Sequence, residues 1–200
     1  MNKKNSITQF FLWVFPCVFI FIACTNSPKA KFAGTDITGI EITSDAKLID
    51  QYGQLKGLKD FKGNIVILFF GFTSCPDICP TTLSKLKHVR ERLGNKGDRL
   101  KIVFVSLDPD RDTPNVLNGY LSNFGSGFEG LTGDPIEIDK FAKAFKIFYQ
   151  KSGNLNENYT IDHFAGSYML DSSGRPRVLL SHSQSVDHII HDFHQIDNNG

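Results

Sequence analysis

Hydrophobic and polar positions follow a few clear rhythms along this chain. "NIVILFFGF", residues 64–72, is apolar on both faces, which predicts a central strand covered on two sides. "RLKIVFVSLD", residues 99–108, predicts a second buried strand. Between them Leu83, Leu86, Val89 and Leu93 recur at near-helical spacing until "GNKG" ends the segment. "DTPNVLNGYLSNF" predicts a helix with Thr113 as cap, Pro114 at the first helical position and a buried stripe of Val116, Leu117, Tyr120, Leu121 and Phe124. "GDPIEIDKFAKAFKIFY" predicts another, in which Asp134 and Glu137 have capping-box spacing around Pro135. "KSGNLNENYTIDHFAG" reads as a polar loop, and "SYMLDSSGRPRVLLS" as a hairpin turning at "DSSG". The last helix shows Val186, Ile189, Ile190 and Phe193 on one side. Strands alternating with helices, then a hairpin and a closing helix, predict a mixed α/β sandwich.

The amino end breaks these rhythms. Lys3 and Lys4 precede an uninterrupted apolar run from Phe10 to Ala23, the anatomy of a signal peptide. A helix of that run would span roughly 21 Å, short of the ~30 Å hydrocarbon core, which favours a cleaved leader over a spanning anchor. "FIAC" resembles the lipobox of bacterial lipoproteins, with Phe21 where that pattern prefers leucine, and makes Cys24 the acylated first residue. The expected organisation is a lipoprotein-type signal peptide at 1–23, a membrane-tethered linker at 24–36 and a folded domain at 37–200. That places the domain in a bacterial cell envelope, anchored on the extracytoplasmic side. The formal net charge of +1 gives no sign of a nucleic-acid partner, and 40% hydrophobic content is ample for one core.

Cys17 falls in the discarded segment and Cys24 in the tether, so the folded domain keeps only Cys75 and Cys79, in "FTSCPDICPTTL". A disulfide-stapled scaffold needs more cysteines than that. Pro80 is easiest to place at the first position of the following helix, with Cys79 at its cap and Cys75 a turn earlier in a loop fixed by Pro76. A helix start is expected to lower both thiol pKa values, and thiolate serves disulfide exchange and soft metals alike. Three intervening residues permit a disulfide and also leave room for an ion. Structural zinc usually takes four Cys or His ligands, whereas two thiolates satisfy Cu(I) and an added imidazole suits Cu(I) and Cu(II).

His188, His191 and His194 lie opposite or beside the apolar stripe of the last helix and read as a solvated face; His182 and His88 read as bystanders. His163, in "YTIDHFAGSY", stands apart. A strand that feeds cysteines at a helix start, with a closing hairpin and helix, resembles the thioredoxin-like fold, in which the loop entering the penultimate strand passes over the cysteines. Thioredoxins place a proline in that loop. Here no proline occurs from Lys151 to Gly174 and a histidine is offered instead, which shifts the reading from redox exchange towards metal binding.

"GFTSCPDICPTTL", "VSLDPDRDTPNVL" and "YTIDHFAGSYMLDSSGRPR" together resemble the Sco/SenC family of thioredoxin-like, copper-binding assembly factors of cytochrome c oxidase, from about Phe61 to Phe193. The resemblance implies a copper ion held by Cys75, Cys79 and His163. It implies a supporting role for Asp108, as a hydrogen-bond acceptor that orients a ligand or as a weak oxygen ligand. Asp162, next to the histidine in sequence and able to pair with it, reads as a second supporting acid. Asp110 and Asp112 read as turn and helix-start chemistry. Ser74 stands where many members carry a histidine, a departure that bears on an auxiliary ligand and leaves the core motif intact. The implied partners are cytochrome c oxidase subunit II or other copper chaperones, and the membrane through the anchor. The implied role is a metallochaperone for the dinuclear copper centre of the oxidase. The competing role is a thiol–disulfide oxidoreductase in which Cys75 and Cys79 form the redox couple that reduces the oxidase's copper-site cysteines.

Overall fold

The computed structural model describes residues 30–154 and 159–198. Three strands form the parallel centre of an eight-stranded sheet: β4 (Ile65–Gly71), β5 (Leu100–Ser106) and β6 (Phe128–Thr132). Next to β4 runs β9 (Ser167–Leu170), antiparallel to it, then β10 (Pro176–Leu180) and the short edge strand β1 (Thr35–Asp36). Beyond β6 lie β2 (Leu48–Asp50) and β3 (Leu55–Lys56). Every residue of β4 is buried, as its unbroken apolar run requires of a strand with covered faces. Its alternate side chains divide the core in two. Ile65, Ile67 and Phe69 pack with α1 (Ile78–Leu93), α2 (Pro114–Leu121) and α4 (Val186–Asp197). Val66, Leu68 and Phe70 pack with α3 (Pro135–Ala144).

Several local expectations change in the folded chain. Thr113 caps α2 by accepting the Val116 N–H at 3.4 Å, yet Val116 itself is 43% exposed, because Leu117, Tyr120 and Leu121 already fill the inward face. Asp134 caps α3, but Glu137 accepts the Lys47 N–H at 2.8 Å, so the expected capping box gives way to a tie between distant segments. The stretch read as a polar loop forms a hairpin instead, β7 (Tyr149–Gly153) against β8 (Tyr159–His163), in a separate two-stranded sheet. Only Ile161 of its two strands is buried, so no period-two apolar signal marked it.

The amino-terminal arm joins the fold earlier than expected. Phe32 packs on the core, and the buried Asp192 carboxylate accepts the Ala33 and Gly34 N–H groups at 2.6 and 2.9 Å. Folded structure therefore includes residues 32–36, which the sequence assigned to the linker. The expected signal peptide, Cys17 and Cys24 lie outside the described residues. Among the described residues no helix is long and apolar enough to cross a membrane.

The "DSSG" turn forms as expected, with Gly174 at φ 82°, a conformation that favours glycine. Asp171 organises it, accepting the Ser173 and Arg175 N–H groups at 3.0 and 3.1 Å and the Arg177 guanidinium at 3.3 Å. Burial alone would raise this carboxyl, but the Arg175 backbone and the two guanidiniums outweigh it and hold the group below its ordinary 3.8. Arg175 is 70% exposed, so the backbone donors and Arg177 matter more. With a depressed folded-state value, the unfolded chain takes up the proton first as pH falls. The stabilisation is thus complete above about pH 4 and lost as pH drops through the folded value. Asp171→Asn is expected to cost about 1–2 kcal/mol at neutral pH and to flatten the acid limb of a melting-temperature profile. Identical acid limbs in the two proteins would remove Asp171 from this role.

Candidate functional site

The site grows from the carboxyl end of β4, where the chain must pass under a thiol. A Cβ on Gly71 would stand 2.7 Å from Cys79 Sγ and 2.9 Å from Phe104 Cε2, so only a bare backbone fits. The chain then turns, and the Cys75 N–H donates to the Phe72 carbonyl at 3.2 Å. The preceding Thr73 is held by the buried Asp112 carboxylate, to which its N–H and hydroxyl donate at 2.9 and 2.6 Å; Ser106 donates to the same carboxylate at 2.6 Å. Asp112 is thus an anchor for the cysteine loop, not an accessory of the next helix. A signal was present, since Thr113 already caps α2 and leaves the neighbouring acid without local work.

α1 begins at Ile78, so Cys79 is its second residue and Pro80 its third, whereas the sequence placed Cys79 at the cap. Pro80 is still in the first turn, where a missing N–H breaks no helical bond. The Asp77 side chain makes no cap bond; Cys75 Sγ accepts the Cys79 N–H at 3.5 Å in its place.

Both cysteines are free, but they differ in setting. Cys75 is partly exposed, while Cys79 is fully buried. Burial pushes the Cys79 thiol well above its ordinary value, against a bond with the Phe72 backbone that favours ionisation. The lowered value expected from the helix start does not hold for Cys79, because lost hydration outweighs the terminal dipole.

His163 ends β8 and shares with Cys75 an open hollow of about 240 Å³, together with Phe72, Pro76, Ile78 and Asp162. Its ring stands edge-on to Phe72 at a centroid distance of 6.1 Å. Nδ1 lies 2.9 Å from the Phe164 carbonyl, which can only accept, so Nδ1 carries the proton and the Nε2 lone pair is left free. Burial lowers the imidazole pKa, opposed by the Phe164 bond and the Asp162 charge, and a neutral ring results at neutral pH. Asp162 is exposed and acts on the ring through charge, the ring's hydrogen bond going to Phe164. Among the described residues, no three His, Cys, Asp or Glu side chains stand close enough together to hold a metal ion as they are. Cys75 and His163 share the hollow, and Cys79 is packed in the core below it.

Asp108 is occupied elsewhere. Fully buried, it accepts the Tyr159 hydroxyl at 2.6 Å and pairs with the Arg111 guanidinium. Arg111 donates to the Tyr159 carbonyl at 3.1 Å and stacks over the Tyr159 ring at 3.7 Å. Lys151 pairs with Asp110 at 2.7 Å. Asp108 therefore bonds neither His163 nor a cysteine; it fastens the hairpin that carries His163. Tyr159 and Arg111, passed over in the sequence, complete this latch. Among the other histidines, His182 Nδ1 lies 3.0 Å from Thr82 Oγ1, and His191 Nε2 donates to the Lys31 carbonyl at 2.9 Å.

A parallel β4–β5 pair, a dithiol at the start of α1 and a terminal hairpin and helix define a thioredoxin-like domain. Comparison narrows the class further. The SCO1/SenC family model matches residues 35–197, and the chain belongs to that family. A SCO2-like protein of Rickettsia felis is 41% identical over 138 residues, 68% of this chain and 67% of that one. The copper-bound ScoI of Bradyrhizobium japonicum superposes with a TM-score of 0.72 at 35% identity, over 78% of this chain and 99% of that one. The copper-bound ScoI of Arabidopsis thaliana gives 0.75 at 30% identity, over 80% and 100%.

Proposed function

We propose that this protein is a copper metallochaperone for the dinuclear copper centre of cytochrome c oxidase subunit II, with one copper ion carried as cargo by Cys75, Cys79 and His163. The observation that carries this reading is the hollow shared by Cys75 and His163, with a neutral imidazole and a second free thiol beneath. Two thiolates and an imidazole suit copper in either common oxidation state. Copper-bound relatives of 30% and 35% identity support the same cargo. Each thiol loses its proton when the ion arrives, and the hairpin bearing His163 must close over the sulfurs. Release then proceeds by ligand exchange to cysteines and histidines of the acceptor.

The runner-up is a thiol–disulfide reductant. It is favoured by the contact of Cys75 Sγ with the Cys79 N–H at 3.5 Å, which sets two free cysteines side by side. In that role the dithiol passes two electrons and two protons to the acceptor's disulfide and ends as a Cys75–Cys79 disulfide. That product has no thiolate left for copper, so the two roles alternate.

Anaerobic titration of the reduced full chain separates them. The chaperone reading expects one tightly bound equivalent and an intense sulfur-to-Cu(II) charge-transfer band that weakens or vanishes in His163→Ala. Identical binding by the mutant, with rapid reduction of a model disulfide by the wild type, installs the reductant instead. The tether rests on the amino-terminal sequence alone: removal of residues 1–23, acylation of Cys24 and a domain facing the extracytoplasmic side of a bacterial envelope. Fatty-acid label present in the wild type and lost in Cys24→Ser is expected, and an unlabelled wild type removes the tether.

A further inference from the structure

The hairpin that carries His163 has a second face, and that face is turned to solvent. Tyr149 of β7 pairs with His163 of β8, Gln150 with Asp162 and Ser152 with Thr160. Ile161 and His163 face the body of the protein, so alternation turns Thr160 and Asp162 outward, and both are exposed. One step beyond the Tyr149–His163 pair stand Phe148 and Phe164, 86% and 44% exposed. Both are held in place. Lys146 adopts φ 55°, uncommon for a residue with a side chain, and the Ile147 N–H donates to the Ala142 carbonyl at 2.9 Å. That turn buries Ile147 and puts Phe148 outside. The Phe164 ring lies over Gly166, where a Cβ would collide with it.

The hollow beside this face has Pro76, Ile78 and Ala165 on its lip, and its charged side chains are two carboxylates, Asp77 and Asp162. Both acids are exposed and neither forms an ion pair among the described residues, while Lys151 and Arg111 are committed to Asp110 and Asp108. Exposed aromatic rings rimmed by polar groups are the usual anchors of protein interfaces. The geometry points to this face as the seat of the copper-accepting domain, a protein surface with an apolar cleft for the two rings and lysine or arginine set against Asp77 and Asp162. This rests on the copper-delivery reading above and adds to it where the acceptor sits. A bilayer fits less well, since it brings no ligand to exchange and an anionic surface is repelled by the two acids. Seating on Phe164 also bears on the metal ligand itself, because the Phe164 carbonyl accepts the His163 Nδ1–H at 2.9 Å.

Phe148→Ser in the full chain tests the seat, because a ring 86% exposed can be removed without opening the core. The probe is the metal-free, reduced soluble domain of subunit II of the organism's own cytochrome c oxidase. Its Kd for the copper-loaded chain is expected to rise about tenfold, as loss of one aromatic anchor implies, and copper transfer below saturation to slow in proportion. Wild-type affinity is expected to fall several-fold between about 0.05 and 0.5 M salt. Unchanged Kd and transfer in the variant overturn the inference, and so does salt-independent association. Self-association, or binding to phosphatidylglycerol vesicles, that Phe148→Ser abolishes while acceptor affinity stands gives the face to another occupant and overturns it as well. Copper affinity of the isolated chains is measured in parallel: an equal loss there puts the ring in the metal site and overturns the docking assignment. A wild type that binds no copper defeats the copper reading and this inference with it. Copper loaded and passed on equally well by the variant defeats this inference alone.

Discussion

Gly71→Ala is expected to lower the free energy of unfolding by about 2–3 kcal/mol, the usual scale for overpacking a filled interior, and to weaken copper binding with it. The new methyl would lie 2.7 Å from Cys79 Sγ and 2.9 Å from the Phe104 ring. Neither wall yields easily. Both residues are fully buried, and Phe104 is braced by Phe69 and Tyr120 at 6.0 and 5.8 Å. The backbone at Gly71 is that of an ordinary strand, so the penalty is one of space and not of conformation. Urea unfolding in a double-mutant cycle with Cys79→Ala checks the assignment, since removing the sulfur frees one wall. A coupling of about 1 kcal/mol between the two changes is expected. If Gly71→Ala costs the same with or without the sulfur, the thiol is not the obstacle.

Asp108→Ala is expected to cost about 3 kcal/mol, near the lower end for breaking a buried ion pair, because Arg111 is partly exposed. The loss would strand a guanidinium whose Nη2 has no hydrogen-bond partner among the described residues and leave the Tyr159 hydroxyl without its acceptor. The larger consequence concerns the site. Ile161 is the one buried residue of β7 and β8, with Tyr149 and Tyr159 packed against the same core, and this latch adds the hydrogen bonds that tie the hairpin to the body of the protein. Amide exchange in both strands should quicken markedly, and copper binding through His163 should weaken, because the imidazole must then be ordered at the moment of binding. Tyr159→Phe should cost about 1 kcal/mol and give a milder version of both effects. Unchanged exchange in the hairpin amides of Asp108→Ala would show that something else holds it.

Elements with strong periodicity were legible in the sequence. The apolar runs gave β4 and β5 nearly to the residue, and Pro114 and Pro135 marked the starts of α2 and α3. The sequence was silent where tertiary contacts supply what local pattern lacks. β6, β2 and the edge strands β1 and β3 were missed, as was the β7–β8 hairpin, whose strands bury only Ile161. Glu137 shows the same limit from the other direction: its spacing promised a local bond, and a segment ninety positions away took it.

The candidate site divides along the same line. Residue type and spacing marked Cys75 and Cys79 as a candidate pair, and the resemblance to the thioredoxin-like fold and the Sco/SenC motifs added His163 as an expected third ligand. Folding alone decided that Cys79 is sealed in the core with its thiol held protonated, and that Asp108 serves the hairpin while Asp112 anchors the cysteine loop. Burial, the direction of a side chain and the choice among rival acceptors depend on what the rest of the chain brings alongside, and no stretch of sequence carries that by itself.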